Sequence, residues 1–517
     1  MGQNQLFAKK SLKVLLEEMH GDNRLRRVLG PVTLTALGIG AVIGAGIFVA
    51  TGEAAHNTAG PALMLSYVVA GITCVFAALC YAEFASMAPV AGSAYAYAYT
   101  TMGELFAWII GWDLVLEYAV GAATVANGWS SYFQEVLDLF RLEVPEALKG
   151  AALIYDKKKG EFAWTSSFIN LPAVAIVAIV TMILVKGIKE SAGFNALMVF
   201  IKVAAVIFVI LVGAFFINPD NWDPFAPYGW TGVSFFGVPV LGEATSKGEP
   251  LGMIAGAAII FFAYIGFDSV STHAEEARNP QRDVPIGIIC SLIICTVLYI
   301  GVVAVLTGMV KYDQLNVNAG VSDAFKQVGL PWAQFIIAAA GVAGITSVLL
   351  VMMLSAPRVF LAMARDGLVP TKFFADVHPR FRTPWKSTMA IGTFVALLAG
   401  FLPIDALLHL TNIGTLFAFV IVCGAVLIMR RTDPGAERPF RCPFVPLVPI
   451  LGILTCLLLM FSLPAANWYR LFGWLAIGLC IYFFYGRHHS VLGKELRGEI
   501  STHGVSPAGM LDDGAKS

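Results

Sequence analysis

Long apolar runs punctuate almost the whole chain, and they leave it few ways to fold. A helix needs about 20 mostly apolar residues to cross the hydrocarbon of a bilayer. Twelve stretches fit that description: 31–55, 60–87, 104–133, 168–186, 193–217, 251–273, 285–309, 332–357, 387–402, 405–429, 446–464 and 470–486. Only Pro403 and Ile404 divide the ninth from the tenth, but one helix through both would run about 40 residues, too long for a single crossing. Charge is scarce throughout: 13% of the 517 residues are charged and 58% are hydrophobic, whereas a soluble domain carries roughly 25% charge. That is too little to cover a water-soluble surface, so the chain is membrane-embedded and lipids surround it. Intrinsic disorder is excluded, because it needs low hydrophobicity and high charge. A net charge of zero without a long basic run argues against nucleic acid as a partner. The eight cysteines contain no C-x-x-C pair, so neither a zinc site nor a disulfide framework is expected.

Basic residues set the expected orientation. With the first segment inside, 24 of the 34 Lys and Arg fall on the cytoplasmic side and 9 outside, with Lys202 left within the membrane. The positive-inside rule then places both termini in the cytoplasm. The 134–167 loop, with Lys157, Lys158 and Lys159, is the discordant one. Residues 1–30 read as a charged, mildly amphipathic cytoplasmic segment, without the apolar core of a signal peptide. Residues 31–217 and 251–430 read as two sets of five spans, 446–486 as two further spans, and 487–517 as a cytoplasmic tail, disordered from about 490.

Spans one and six carry unusual glycine. The first reads Gly38-Ile-Gly-Ala-Val-Ile-Gly-Ala-Gly-Ile-Phe48, poor helix material at up to about 1 kcal/mol per glycine relative to alanine. Close helix packing through Gly40 and Gly44 is one explanation. A dinucleotide fingerprint is not, since the third glycine position holds Ile43. In the sixth span Gly266 is followed by Asp268, Ser269, Ser271 and Thr272, which again suggests an interruption. Breaks in spans one and six are what two five-span inverted repeats would give, with Gly44 and Gly266 facing each other near the midplane. Unwound backbone at membrane depth is tolerated only where protein, water or ligand satisfies it. A half-helix N-terminus suits a carboxylate, and the freed carbonyls suit an ammonium. Paired breaks therefore offer a site for an amino acid.

These residues resemble a known family. Gly40-Ala-Val-Ile-Gly-Ala-Gly-Ile-Phe48 resembles the first-helix motif of the amino acid–polyamine–organocation transporters, and Tyr81-Ala-Glu-Phe-Ala85 their second-helix motif. Gly111-Trp-Asp-Leu-Val-Leu-Glu-Tyr118 and Phe262-Ala-Tyr-Ile-Gly-Phe-Asp-Ser-Val-Ser-Thr272, with Ala274 to Arg282, resemble the cationic amino acid transporter branch, above all its twelve-span bacterial members. The likeness runs from about 28 to 430. It implies an all-α membrane protein with a LeuT-type 5+5 inverted repeat and two additional C-terminal spans. It also implies a secondary amino acid transporter, not an enzyme, in a bacterial cytoplasmic membrane, with a monomer as the working expectation. Carried over residue by residue, the carboxylate segment falls on Ile43, Gly44, Ala45 and Gly46, and the amino-group carbonyls on Val42, Phe262, Ala263 and Ile265. Some relatives have Thr or Ser where this chain has Ala45, so the burden shifts here to backbone N–H groups.

Lys202 lies nine residues after Gly193, about 13 Å along the helix and close to the middle of a ~30 Å core. A lysine there costs at least about 2.5–3.5 kcal/mol. Snorkelling to the interface is the plain alternative; the functional one is an amine able to exchange a proton near neutral pH. In similar transporters a fifth-helix lysine contacts the broken first helix where sodium-coupled relatives bind a cation. The resemblance therefore implies protons, not sodium, as the coupling ion, and no cofactor. Asp113 and Glu117, at i and i+4 on one helix face, read as structural pairing, with a proton-linked role kept open for Glu117. Glu83 reads as a structural pair near the membrane edge. Asp268 reads as a cap or gate beside Gly266, and Glu275 and Glu276 with Arg278 and Arg282 as a surface or gate ion network. Trp108 and Trp112 read as interface anchors.

None of the expected pocket residues is acidic, and Ile43, Phe262, Ile265 and Met352 are apolar. A small neutral L-amino acid such as alanine is the expected substrate, with arginine or lysine the runner-up. A membrane enzyme lacks a nucleophile or metal motif such as H-E-x-x-H, a channel would not need paired breaks, and a sensor that binds without transporting stays open.

Overall fold

The structure is a computed structural model that describes residues 5–11, 29–87, 93–156, 161–187, 192–236, 238–246, 248–272, 274, 277–317, 319–381 and 383–499. It is mostly helical. Eight helices among these residues are long and apolar enough to cross a membrane, and four shorter apolar helices of 10–17 residues join them. In chain order the main helices are α1 (Pro31–Val42), α2 (Leu63–Met87), α3 (Ser93–Thr101), α4 (Glu104–Leu139), α5 (Leu171–Lys186), α6 (Ala192–Gly213), α7 (Met253–Ile260), α8 (Pro280–Met309), α9 (Gly320–Gln327) and α10 (Pro331–Arg365). They continue with α11 (Trp385–Phe401), α12 (Ile404–Thr432), α13 (Leu447–Phe461), α14 (Ala465–Ile481) and α15 (Val491–Leu496). Each apolar run of the sequence holds a helix, and Pro403 separates α11 from α12 as its missing N–H requires. Small antiparallel hairpins close two long loops, pairing Leu153–Asp156 with Glu161–Trp164 and Val233–Phe235 with Val238–Leu241.

Helix α8 packs against both α1 and α2, with α7 against α2; α4 lies along α10 and α12; α5 lies along α11. The interior is rich in tyrosine rather than charge: Tyr67, Tyr81, Tyr118, Tyr132, Tyr264 and Tyr299 are all buried. Lipid-facing residues such as Phe200, Leu211 and Phe215 on and just beyond α6 stay exposed, as expected of helices whose outer faces meet hydrocarbon.

Three polar clusters fasten the edges. Glu83 at the end of α2 receives Arg430 Nε at 2.9 Å, Arg430 Nη2 at 2.7 Å and the Cys442 N–H at 2.7 Å, and Arg438 lies 3.2 Å away. The structural pairing expected of Glu83 is therefore present, and it ties α2 to α12 and the following loop. Trp112 Nε1 donates to the Trp474 carbonyl at 3.0 Å, and Trp474 Nε1 donates to the Trp112 carbonyl at 3.1 Å, with the rings stacked. Trp108 donates to the Gly478 carbonyl at 2.9 Å. The expectation of interface anchors is thus corrected for these tryptophans, which lock α4 to α14 and bury Trp108 completely.

The third cluster surrounds Glu104, which is fully buried. Its carboxylate accepts from Gln5 Nε2 at 2.9 Å, Tyr99 Oη at 3.0 Å, Tyr482 Oη at 2.9 Å and the Ser490 hydroxyl. Lys10 pairs with Asp366 at 2.9 Å, and Tyr95 donates to the same carboxylate at 2.6 Å. The stretch after 490, expected to be disordered, instead holds α15 (Val491–Leu496), capped by Ser490 through the Gly493 N–H at 3.0 Å. The basic cluster at 157–159, Glu275 and Glu276, most of the 1–30 segment and the tail from 500 onward lie outside the described residues.

Removing the acid from the Glu83 cluster leaves two guanidinium groups without their counter-charge. Breaking such a pair costs about 3–5 kcal/mol when fully buried, and Arg430 keeps 26% of its side chain exposed, so the low end applies. Glu83→Ala is expected to lower the melting temperature in detergent by several degrees, with Glu83→Gln milder. An unchanged melt would contradict this account.

Candidate substrate site

The first break follows α1. Regular helix stops at Val42, Ile43 has extended backbone dihedrals, and the chain resumes as wide helical turns from Gly46. The Ile47 and Phe48 N–H groups both return to the Gly44 carbonyl at 3.2 Å. The N–H groups of Gly44, Ala45 and Gly46 have no acceptor among the described residues. They sit at a helix N-terminus, where partial positive charge gathers. Of the segment read from the sequence as facing a carboxylate, Gly44, Ala45 and Gly46 leave their N–H groups unpaired among the described residues, whereas the Ile43 N–H closes α1 on the Ile39 carbonyl at 2.9 Å.

The second break follows α7 and a tighter turn, Phe261–Tyr264. Gly266 adopts φ +116°, a conformation that suits glycine. Its N–H donates to Asp268 Oδ1 at 3.2 Å, and Asp268 Oδ2 accepts from Tyr118 Oη at 2.7 Å. Asp268 thus satisfies the break itself and anchors it to α4, close to the capping role read from the sequence.

The two breaks touch, though not through the expected glycine pair. A Cβ at Gly46 would lie 2.2 Å from Ala263 Cα, and one at Gly266 would lie 2.9 Å from the Ala41 carbonyl oxygen. Gly44 instead backs onto Val348 of α10, 2.5 Å from where its Cβ would stand. Gly44 and Gly266 therefore do not face each other, because the two segments pass side by side with Gly46 and Gly266 each seated on the other's backbone.

The freed carbonyls have side-chain donors. Lys202 is fully buried. Its Nζ donates to the Gly40 carbonyl at 2.6 Å and the Ile43 carbonyl at 3.0 Å. The amine reaches the break and not the interface, so snorkelling is excluded. Tyr299 Oη of α8 lies 2.8 Å from the Val42 carbonyl oxygen and 3.0 Å from that of Ala263, so its single proton is shared between them or given to one at a time. Tyr132 donates to the Phe48 carbonyl at 2.7 Å, and Asn412 Nδ2 to the Ala258 and Ile259 carbonyls at 2.9 and 2.8 Å. The Phe262 carbonyl accepts from the Ile265 N–H at 3.2 Å. Tyr299, Tyr132 and Asn412 were not singled out from the sequence. A hydroxyl or amide in an otherwise apolar span is a signal, but its partner lies too far along the chain to be named.

Ile43, Phe262, Ile265 and Met352 are buried. Met352 of α10 lies against Gly121 of α4, with its sulfur 3.2 Å from the position of a Cβ there. Asp113 and Glu117 are fully enclosed, and none of their four carboxylate oxygens has a partner in hydrogen-bonding geometry among the described residues. Thr415 is the hydroxyl that faces Glu117, and Gly414 leaves room for Asp113, 2.8 Å from where its Cβ would be. The pairing role expected of these two acids is thus not accompanied by the hydrogen bonds it would need. Among the described residues no cluster of His, Cys, Asp and Glu could hold a metal ion.

Paired breaks buried within the helix bundle, the first with unpaired N–H groups among the described residues, suit a carrier of small molecules. Residues 29–483 match a family described as amino acid permease, and the chain belongs to that family. It is 45% identical over 491 residues to the methylthioribose transporter of Bacillus subtilis (strain 168), covering 95% of this chain and all of that one. It is also 45% identical over 493 residues to the branched-chain amino acid permease BcaP of the same organism, with the same coverage. To the vacuolar cationic amino acid transporter 4 of Arabidopsis thaliana it is 32% identical over 616 residues, 95% of this chain and 97% of that one. The protein is a multi-pass membrane permease, not an enzyme.

The close approach at Gly46 gives a direct test. A methyl group there would force Ala263 away and part the two breaks. Gly46→Ala is expected to yield a monodisperse protein that has lost at least about nine-tenths of its transport, a penalty of roughly 1.4 kcal/mol or more. Uptake close to wild type would show that the breaks need not touch.

Proposed function

We propose that the protein is a proton-coupled importer of small neutral L-amino acids such as alanine, working by alternating access in a 5+5 inverted repeat with two added spans. The observation that carries this reading is the bond from Lys202 to the Gly40 and Ile43 carbonyls. It ties a buried amine to the segment whose free N–H groups suit a substrate carboxylate. A charged amine holds two carbonyls firmly; a neutral one holds them weakly. Gain and loss of one proton on Lys202 therefore changes the grip on the first break, which is what coupling requires. In this reading sodium has no role, and the proton takes the place of a bound cation. Glu117, whose carboxylate has no partner in hydrogen-bonding geometry among the described residues, is a second group suited to carry a proton. The protein would lie in a bacterial cytoplasmic membrane with both termini inside, and act as a monomer.

The reading of the pocket rests on the buried apolar set Ile43, Phe262, Ile265 and Met352, which offers no partner to a cationic side chain. A second reading, a larger substrate, is favoured by the 45% identity to a branched-chain amino acid permease and to a methylthioribose transporter.

Two measurements in proteoliposomes separate these possibilities. Alanine uptake should rise with an inward-directed proton gradient, with or without sodium. Lys202→Ala should lose that accumulation by at least about tenfold, while substrate binding partly survives. Full proton-driven accumulation by Lys202→Ala would sink the coupling assignment, and binding without flux in the wild type would mark a sensor. A competition panel of alanine, leucine, arginine and methylthioribose decides the substrate. Met352→Ala, which opens space beside Gly121, is expected to favour leucine over alanine relative to wild type. Strong displacement by arginine alone would refute the neutral reading.

A further inference from the structure

Between Asp223 and Glu243 the chain carries no charged residue. Within this stretch Val233–Phe235 pairs with Val238–Leu241, and every residue of the second strand is exposed. Side chains alternate across a strand, so Val238 and Val240 face one side and Pro239 and Leu241 the other. Both sides are apolar and bare. A protein docked on this strand would cover one side; a lipid medium covers both.

The hairpin is rooted on the aromatic rings of two spans. Phe235 stacks on Phe461 at 5.5 Å, Phe236 lies 5.0 Å from Trp468, and Phe461 stacks on Trp468 at 5.1 Å. Phe461 ends α13, and Trp468 lies in the first turn of α14. Leu454 of α13 and Tyr469 and Phe472 of α14 are exposed, as helix faces that meet hydrocarbon are, and the hairpin continues their surface. Helix α13 has 15 residues, about 22 Å, which is short of a ~30 Å hydrocarbon core. The hairpin stands at its end, where further apolar cover is needed. A two-stranded ribbon also leaves edge N–H and C=O groups unpaired, which hydrocarbon does not tolerate and the hydrated headgroup layer does.

We propose that this hairpin is a membrane anchor, seated with Val238–Leu241 at the boundary between headgroups and acyl chains, and that it steadies the start of α7. The chain leaving it runs straight into that helix. Glu243 and Ala244 pair with Leu251 and Pro250. The Gly252 N–H donates to the Thr58 carbonyl at 2.9 Å, and the Met253 N–H to the Gly229 carbonyl at 3.1 Å. The far end of α7 is the second break, so the anchor sets the depth of a broken span from its outer end.

The test uses the full chain in vesicles of phosphatidylcholine and phosphatidylglycerol. The exposed cysteines Cys290 and Cys480 are replaced by serine, and Val240→Cys carries an environment-sensitive fluorophore. Nitroxide lipids labelled near the headgroup should quench it at least about twofold more than lipids labelled at the acyl terminus, and aqueous iodide should have little effect. Quenching by iodide without quenching by lipid would overturn the anchor. So would energy transfer between labelled copies in place of lipid quenching, which would mark the strand as a contact with a second copy. In the same vesicles Val240→Asp should quicken amide exchange across 252–258 about threefold, and Val240→Leu should not. Unchanged exchange in Val240→Asp would overturn the link to α7. Val240→Ser repeats the measurement should the aspartate variant not be monodisperse.

Discussion

Everything in this molecule is arranged around backbone that cannot be left unpaired. Two helices stop inside the bilayer, and each stop exposes carbonyl and N–H groups that would cost several kcal/mol apiece in hydrocarbon. The carbonyls are met by side chains from four other helices: Lys202 from α6, Tyr299 from α8, Tyr132 from α4 and Asn412 from α12. The N–H groups of Gly44, Ala45 and Gly46 are met by none of the described residues. The asymmetry is informative. Acceptors are tied to protein, while donors are left at a helix N-terminus, so the opening is shaped for an anion. The fold thus spends its polar side chains on one half of the problem, and on the proposed reading the cargo meets the other half.

The breaks and the buried lysine were legible because they violate local rules. Four glycines between Gly38 and Gly46 contradict helix propensity, and a lone cation in an apolar span contradicts hydropathy. Such conflicts mark functional sites without any partner being known. Tyr299 and Asn412 are weaker signals. Each is an acceptable core residue, and each finds its acceptor 257 and 154 positions away along the chain. Only the fold joins them. The tryptophans failed for a related reason. Trp108 and Trp112, a turn apart near a helix end, have the pattern of an interface belt, and what overrides it is α14, whose carbonyls the sequence could not place beside them. The facing glycines were misjudged by a small offset, because span spacing fixes which helices meet but not the register at which they cross.

The family relationship and the geometry constrain different things. The family gives a permease, and relatives of nearly equal identity are named for a branched-chain amino acid permease and for a transporter of a thioether sugar. The break geometry is built from backbone, which reads the ends of a substrate and not its side chain. On the proposed reading, discrimination then falls to a few replaceable walls such as Met352 and Ile43. A scaffold of this kind can change cargo without touching the segments that hold it together.

The meeting of residues 5–10 with α15 on the Glu104 carboxylate has a practical consequence. Gln5 donates both to Glu104 and to the Arg487 carbonyl, and Arg497 reaches back to Gln5 at 3.3 Å. Stretches almost five hundred residues apart are therefore mechanically one part. A purification tag or fluorescent fusion grafted close to either stretch would strain the other as well, and a protease that clips one would free both.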